Sequence, residues 1–131
     1  MIEAITKIEE LFKVVENMLE ELKAHPRVIG VYLFGSYTKG DTKPLSDIDI
    51  AVILKDPDPK IEADIGSMYS EKIDLVLFHK LPLHIKFEVF KDGKEIFVKD
   101  EDYLLELKLA VLKEYHEMRW IYERIKSKVL R

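Results

Sequence analysis

No cysteine occurs among the 131 residues, which excludes disulfides and every thiolate site. Glycine and proline are scarce, with five of each, so neither a collagen-like repeat nor a Gly/Pro-rich linker is present. No apolar run approaches the roughly 18 residues of a membrane span. The acidic, helix-patterned opening also lacks the basic-then-apolar order of a secretory signal, so a cytoplasmic protein without membrane contact is expected. A basic excess is missing too. Lys and Arg number 21 against 25 Asp and Glu, a formal net charge of -4. Chains that grip long nucleic acid usually carry a basic face, so nucleic acid is disfavoured as the main partner. A mononucleotide carried as its magnesium complex is not. With 47% hydrophobic and 35% charged residues, the chain is expected to fold as one globular domain spanning 1–131.

Apolar residues recur at three- and four-residue steps from Ile5 to Leu22, which predicts a helix over Ile2–Lys23. His25-Pro26 should end it, because the residue before proline avoids helical geometry. Val28–Phe34 is a continuous apolar run, as in a buried strand. Asp47–Leu54 and Lys72–Phe78 read as second and third strands, and Asp56-Pro57-Asp58-Pro59 as a loop. The segment 83–91 fits either a hairpin strand or a helix opening after Pro82. Lys94–Val98 reads as a short strand. Asp100 to about Lys128 reads as a long helix with Asp100, Glu101 and Asp102 at its positive end. The expected class is α/β (α+β), a small mixed sheet flanked by helices.

Between the first two strands lies Gly35-Ser36-Tyr37-Thr38-Lys39-Gly40, followed by Ser46-Asp47-Ile48-Asp49. A glycine–serine turn offers small side chains and backbone N–H groups to phosphate. Asp47 and Asp49 on a strand would share a face with Cα atoms ~6.6 Å apart. Such a pair suits magnesium, which prefers hard oxygen ligands. Asp74 is the only carboxylate within the third strand. Buried there alone it would cost several kcal/mol (order of magnitude), and beside Asp47 and Asp49 it would need a cation to offset like-charge repulsion. Any one of these features alone has an ordinary structural reading. Their joint occurrence, in order and at strand ends, reads as a site for phosphoryl or nucleotidyl transfer.

Gly-Ser, ten intervening residues, Asp-x-Asp and a later strand aspartate together resemble the minimal nucleotidyltransferases of the DNA polymerase beta superfamily. The resemblance runs over nearly the whole chain. Members of this length resemble the antitoxin half of MntA–HepT toxin–antitoxin systems, which transfer AMP from ATP to a tyrosine of the HepT toxin. The resemblance implies a polymerase-beta-like palm fold, ATP as substrate, two Mg²⁺ ions and a HepT-like toxin as partner. By position it implies Gly35 and Ser36 as triphosphate binders and Asp47, Asp49 and Asp74 as metal ligands, with Asp74 also helping to deprotonate the acceptor. The family often carries Ala-Arg where this chain has Thr38-Lys39, so Lys39 is a phosphate-binding candidate as a point charge only. The resemblance also favours a helix for 83–91. Two alternatives are a transferase acting on a small molecule such as an aminoglycoside, and a non-catalytic antitoxin that masks its toxin.

His25, His79, His84 and His116 have no metal-ligand spacing, and a surface or core role is expected for His79. In the last helix, Leu104, Leu107, Val111, Tyr115, Met118, Tyr122 and Ile125 form one stripe that should cover the sheet. Leu105, Leu109, Leu112 and Trp120 form a separate flank. That flank is either a widened core face or an interface for a toxin subunit or a second copy.

Overall fold

The structure, a computed structural model, describes residues 2–35, 48–68 and 73–129, with side chains described from Lys13 onward. Helix α1 (Ile2–Ala24) leads into β1 (Val28–Phe34), then β2 (Ile48–Leu54), α2 (Pro59–Gly66), β3 (Ile73–Leu77), α3 (Leu83–Asp92), β4 (Lys94–Val98) and α4 (Glu101–Val129). The strands form one sheet in the order β3-β2-β1-β4. β1 lies antiparallel to β2 and β4, and β2 parallel to β3. The expected mixed sheet with flanking helices is therefore present.

The two central strands are buried on both faces, which is why β1 and β2 read as continuous apolar runs rather than alternating ones. On one face Val28, Val31, Ile50, Val52 and Leu54 meet Met18 and Leu22 of α1 and Ile61 and Ile65 of α2. On the other, Ile29, Tyr32, Ala51 and Ile53 meet Phe78, Val89 of α3, and Leu104 and Val111 of α4. Helix α2 is an element the sequence reading leaves unassigned after the Asp56–Pro59 loop. Its local logic is plain in retrospect. The Asp58 carboxylate accepts from Ile61 N at 3.0 Å as an N-cap, Pro59 fills the first helical turn, and Ile61 and Ile65 sit one turn apart on the buried side.

β3 is shorter than the expected Lys72–Phe78. Phe78 leaves the strand in a one-turn 3₁₀ segment, Phe78–Lys80, and is buried. Its ring meets Phe90 of α3 at 4.8 Å, and Phe90 meets Tyr32 edge-on at 5.5 Å. This aromatic contact resolves the 83–91 ambiguity in favour of a helix, because only a helical turn places Val89 and Phe90 together against the sheet.

Helix α4 begins as its sequence indicates. Asp100 Oδ1 accepts from Tyr103 N at 3.0 Å, and Glu101 and Asp102 occupy the first turn. The expected core stripe is only half right. Leu104, Leu107 and Val111 pack on the sheet face, and Tyr115 stacks on Phe87 at 3.8 Å with rings 3° from parallel. Beyond that stack the helix outruns its own domain. Every residue from His116 to Val129 is exposed, including Met118, Tyr122 and Ile125 of the same stripe. Leu105, Leu109, Leu112 and Trp120 are exposed as well, so the widened-core reading of that flank fails. Trp120 is 60% exposed, and Trp120→Ala is expected to change folding stability by no more than ~0.5 kcal/mol. Urea denaturation of the pure variant measures this.

Candidate active site

β1 ends at Gly35, whose φ of +84° lies in the left-handed region that L side chains rarely adopt. The same residue packs directly against Asp49, so that a Cβ added at Gly35 would overlap the Asp49 carboxylate. Asp49 is the second residue of β2, opposite Phe34 on the antiparallel neighbour. On its other side β2 runs parallel to β3, and Asp49 is in register with Asp74. Neighbouring strands stand ~4.8 Å apart, and residues in register on parallel strands point to the same face. That face is the one covered by α3 and α4, since Ala51 and Val76, two positions along from Asp49 and Asp74, pack there. Asp49 is half-buried and Asp74 exposed.

The structure thus brings together three residues that the sequence places far apart: Gly35, Asp49 and Asp74. Ser36, Lys39 and Asp47 lie outside the described residues. Asp74 does not meet the condition of burial. β3 is an edge strand and Asp74 is exposed, so no desolvation cost forces it to find a partner. Its case rests on register with Asp49. Phe34 is a neighbour that sequence reasoning missed. It ends β1 on the same face, opposite Asp49, and the only signal for it is the alternation from Tyr32. Among the described residues no group of three or more His, Cys, Asp or Glu could hold a metal ion. The Asp49–Asp74 pair supplies hard oxygen donors on adjacent strands, a donor chemistry that suits magnesium.

His79 stands apart from this site, at the opposite end of β3. Its Nε2 lies 2.6 Å from Glu62 Oε1, and Lys80 Nζ lies 3.3 Å from Glu62 Oε2, tying β3's exit to α2. The His79 hydrogen bond, aided by Lys80, holds the Glu62 carboxyl below its ordinary value of 4.5. A depressed carboxyl binds its proton later in the folded chain than in the unfolded one. Its stabilisation is therefore complete above 4.5 and is lost as pH falls through the lower folded value. Glu62→Gln is expected to flatten that acid limb and leave the alkaline side unchanged. Denaturant midpoints taken from about pH 6 to about pH 3 check it.

A family model described as polymerase beta, nucleotidyltransferase, matches residues 16–102, and the chain belongs to that family. Two proteins of Methanocaldococcus jannaschii, both named “Putative protein adenylyltransferase”, are similar to it. One is 39% identical over 71 residues, 54% of this chain and 57% of that protein. The other is 31% identical over 74 residues, 53% of this chain and 86% of that protein. The matched segment thus spans little more than half the length of the first. A crystal structure of a toxin–antitoxin with AMP-PNP matches at a TM-score of 0.64 and 26% identity, covering 88% of this chain and 98% of that one. A tri-AMPylated Shewanella oneidensis HEPN toxin in complex with MNT antitoxin matches at a TM-score of 0.55 and 21% identity, covering 98% of this chain and 99% of that one. At that identity the second likeness shows the fold alone. No helix among the described residues is long and apolar enough to cross a membrane.

Proposed function

We propose that residues 1–131 act as a single-domain, magnesium-dependent nucleotidyltransferase that moves AMP from ATP to a hydroxyl, that of a tyrosine, on a HepT-like toxin, and so serve as its antitoxin in the cytoplasm. The observation that carries this reading is the register of Asp49 with Asp74 beside the left-handed Gly35. Membership of the nucleotidyltransferase family and the likeness to protein adenylyltransferases support it.

In this reading Gly35 and Ser36 present backbone N–H groups and a hydroxyl to the triphosphate, and Lys39 adds a positive charge. Asp47, Asp49 and Asp74 would hold two Mg²⁺ ions, which when bound neutralise charge on the phosphates and acidify the acceptor hydroxyl. Asp74, exposed at the sheet edge, is open to an incoming protein and takes the proton from the acceptor oxygen. That oxygen forms a bond to the α-phosphorus as the bond to the bridging oxygen breaks, and pyrophosphate leaves.

Asp74→Ala is expected to lower turnover far more than it raises the KM for ATP, since its part is played on the acceptor side. Steady-state kinetics with varied ATP read the split; normal turnover with a much higher KM would reassign Asp74 to nucleotide binding. The function itself is tested with ATP labelled at either the α- or the γ-phosphate, incubated with the chain and the toxin. Label from the α position should follow the toxin on a denaturing gel and label from the γ position should leave as pyrophosphate. The opposite pattern would mean phosphoryl transfer, and no protein-bound label from either would sink the proposal.

A further inference from the structure

The stripe that seats α4 on the sheet does not stop where the sheet stops. Leu104, Leu107 and Val111 are spent on the core and Tyr115 on Phe87. The same helical line then continues through Met118, Tyr122, Ile125 and Val129, which are 43%, 63%, 57% and 74% exposed. From Val111 onward the steps are four, three, four, three and four, the spacing of a seam between two helices. About 20 Å of helix stands clear of the domain. An unsupported helix of this length is marginal in water, where helical stability comes mostly from packing an amphipathic face. Apolar stripes of this size on a monomer mark interaction sites. The family model ends at residue 102, within the first turn of α4.

Charge selects the occupant. Between His116 and Val129 there are four cations, Arg119, Arg124, Lys126 and Lys128, and two carboxylates, Glu117 and Glu123. On the heptad set by Tyr115, Met118, Tyr122 and Ile125, the charged residues immediately beside the seam are Glu114, Arg119, Lys126 and Lys128, all cationic beyond Tyr115. Glu117 and Glu123 fall on the opposite side. A second copy packed antiparallel on this seam would set Arg119 against Lys126, cation facing cation. A helix with carboxylates along its apolar stripe would pair with both.

We infer that the free half of α4 is the docking seam for the acceptor protein, through an amphipathic helix of that protein whose apolar stripe is flanked by Asp or Glu. This rests on the acceptor being a protein, as proposed above. It adds where that protein is held and what chemistry recognises it.

The test is calorimetric titration of the full chain with the full-length HepT-like toxin, without ATP, so that binding is read apart from transfer. Tyr122→Glu is expected to weaken the complex at least tenfold with an unchanged unfolding midpoint. Arg119→Glu should weaken it severalfold, and added salt should weaken the wild-type complex. Trp120→Ala, on the opposite side of the helix, should leave affinity unchanged. Unaltered binding by Tyr122→Glu, or equal loss from Trp120→Ala, would overturn the seam. Self-association of the wild-type chain in sedimentation, abolished by Tyr122→Glu, would overturn the choice of occupant. If wild-type binds and the variants fail as expected but no label from ATP reaches the toxin, the docking seam stands and the transferase reading falls.

Discussion

Asp49→Asn is expected to abolish AMP transfer, lowering turnover by about a thousandfold or more, equivalent to ~4 kcal/mol of transition-state stabilisation. The physical reason is the position of Asp49 at the centre of the site. It touches Gly35 on one side and stands in register with Asp74 on the other. Asparagine keeps the shape and removes the charge that a divalent cation needs. The same change relieves repulsion between two carboxylates on adjacent strands when no cation is bound, so folding stability should stay level or rise slightly. Asp47→Asn is expected to behave alike. The check pairs transfer rates in magnesium with urea denaturation of the same samples. Near-normal transfer by Asp49→Asn would remove the carboxylate pair from the chemistry.

The second large effect is expected at Gly35, and it should appear in stability as well as activity. Valine there would suffer twice. Its backbone would be held at φ +84°, which costs a non-glycine residue ~1–2 kcal/mol and more when β-branched. Its Cβ would also collide with the Asp49 carboxylate. Together these predict a loss of ~3 kcal/mol or more for Gly35→Val, along with loss of ATP binding. Ser36→Ala, by contrast, should cost ATP affinity only ~1 kcal/mol, the scale of one hydrogen bond. The two causes at Gly35 can be separated. In a Gly35→Ala background, Asp49→Gly should recover the steric part and leave the backbone part. Full additivity of the two changes, read by denaturation, would mean that they do not touch.

Much of this was legible in the sequence because the relevant physics is local. The runs Val28–Phe34 and Ile48–Leu54 announce strands buried on both faces, and Asp100 with Glu101 and Asp102 announces a helix start. Asp49 and Asp74 stand out in the sequence because each is a carboxylate within an apolar run. What the sequence could not show is that they stand in register, because that depends on β2 and β3 pairing in parallel across α2. Helix α2 itself was hidden by its length. Eight residues carry one buried pair, Ile61 and Ile65, too few for a periodic signal. The left-handed Gly35 was legible as a turn residue, whereas its contact with Asp49 joins positions fourteen apart. The stripe on α4 is legible as a stripe, but its pattern extends the core along the whole helix, whereas the core ends at Tyr115. Periodicity reports which residues share a face and is silent on how far the sheet beneath them extends. The Phe87–Tyr115 stack marks that limit.

The central claim, that this chain adenylylates a partner protein from a site built on Asp49 and Asp74, is tested most directly by intact mass. The HepT-like toxin is incubated with ATP, magnesium and the chain, then weighed by mass spectrometry beside a reaction containing Asp49→Asn. The account predicts toxin mass rising in whole AMP increments with the wild-type chain and unchanged with the variant. A toxin whose mass stays constant, although it forms a stable complex with the wild-type chain, would contradict it and leave masking by contact as the chain's activity.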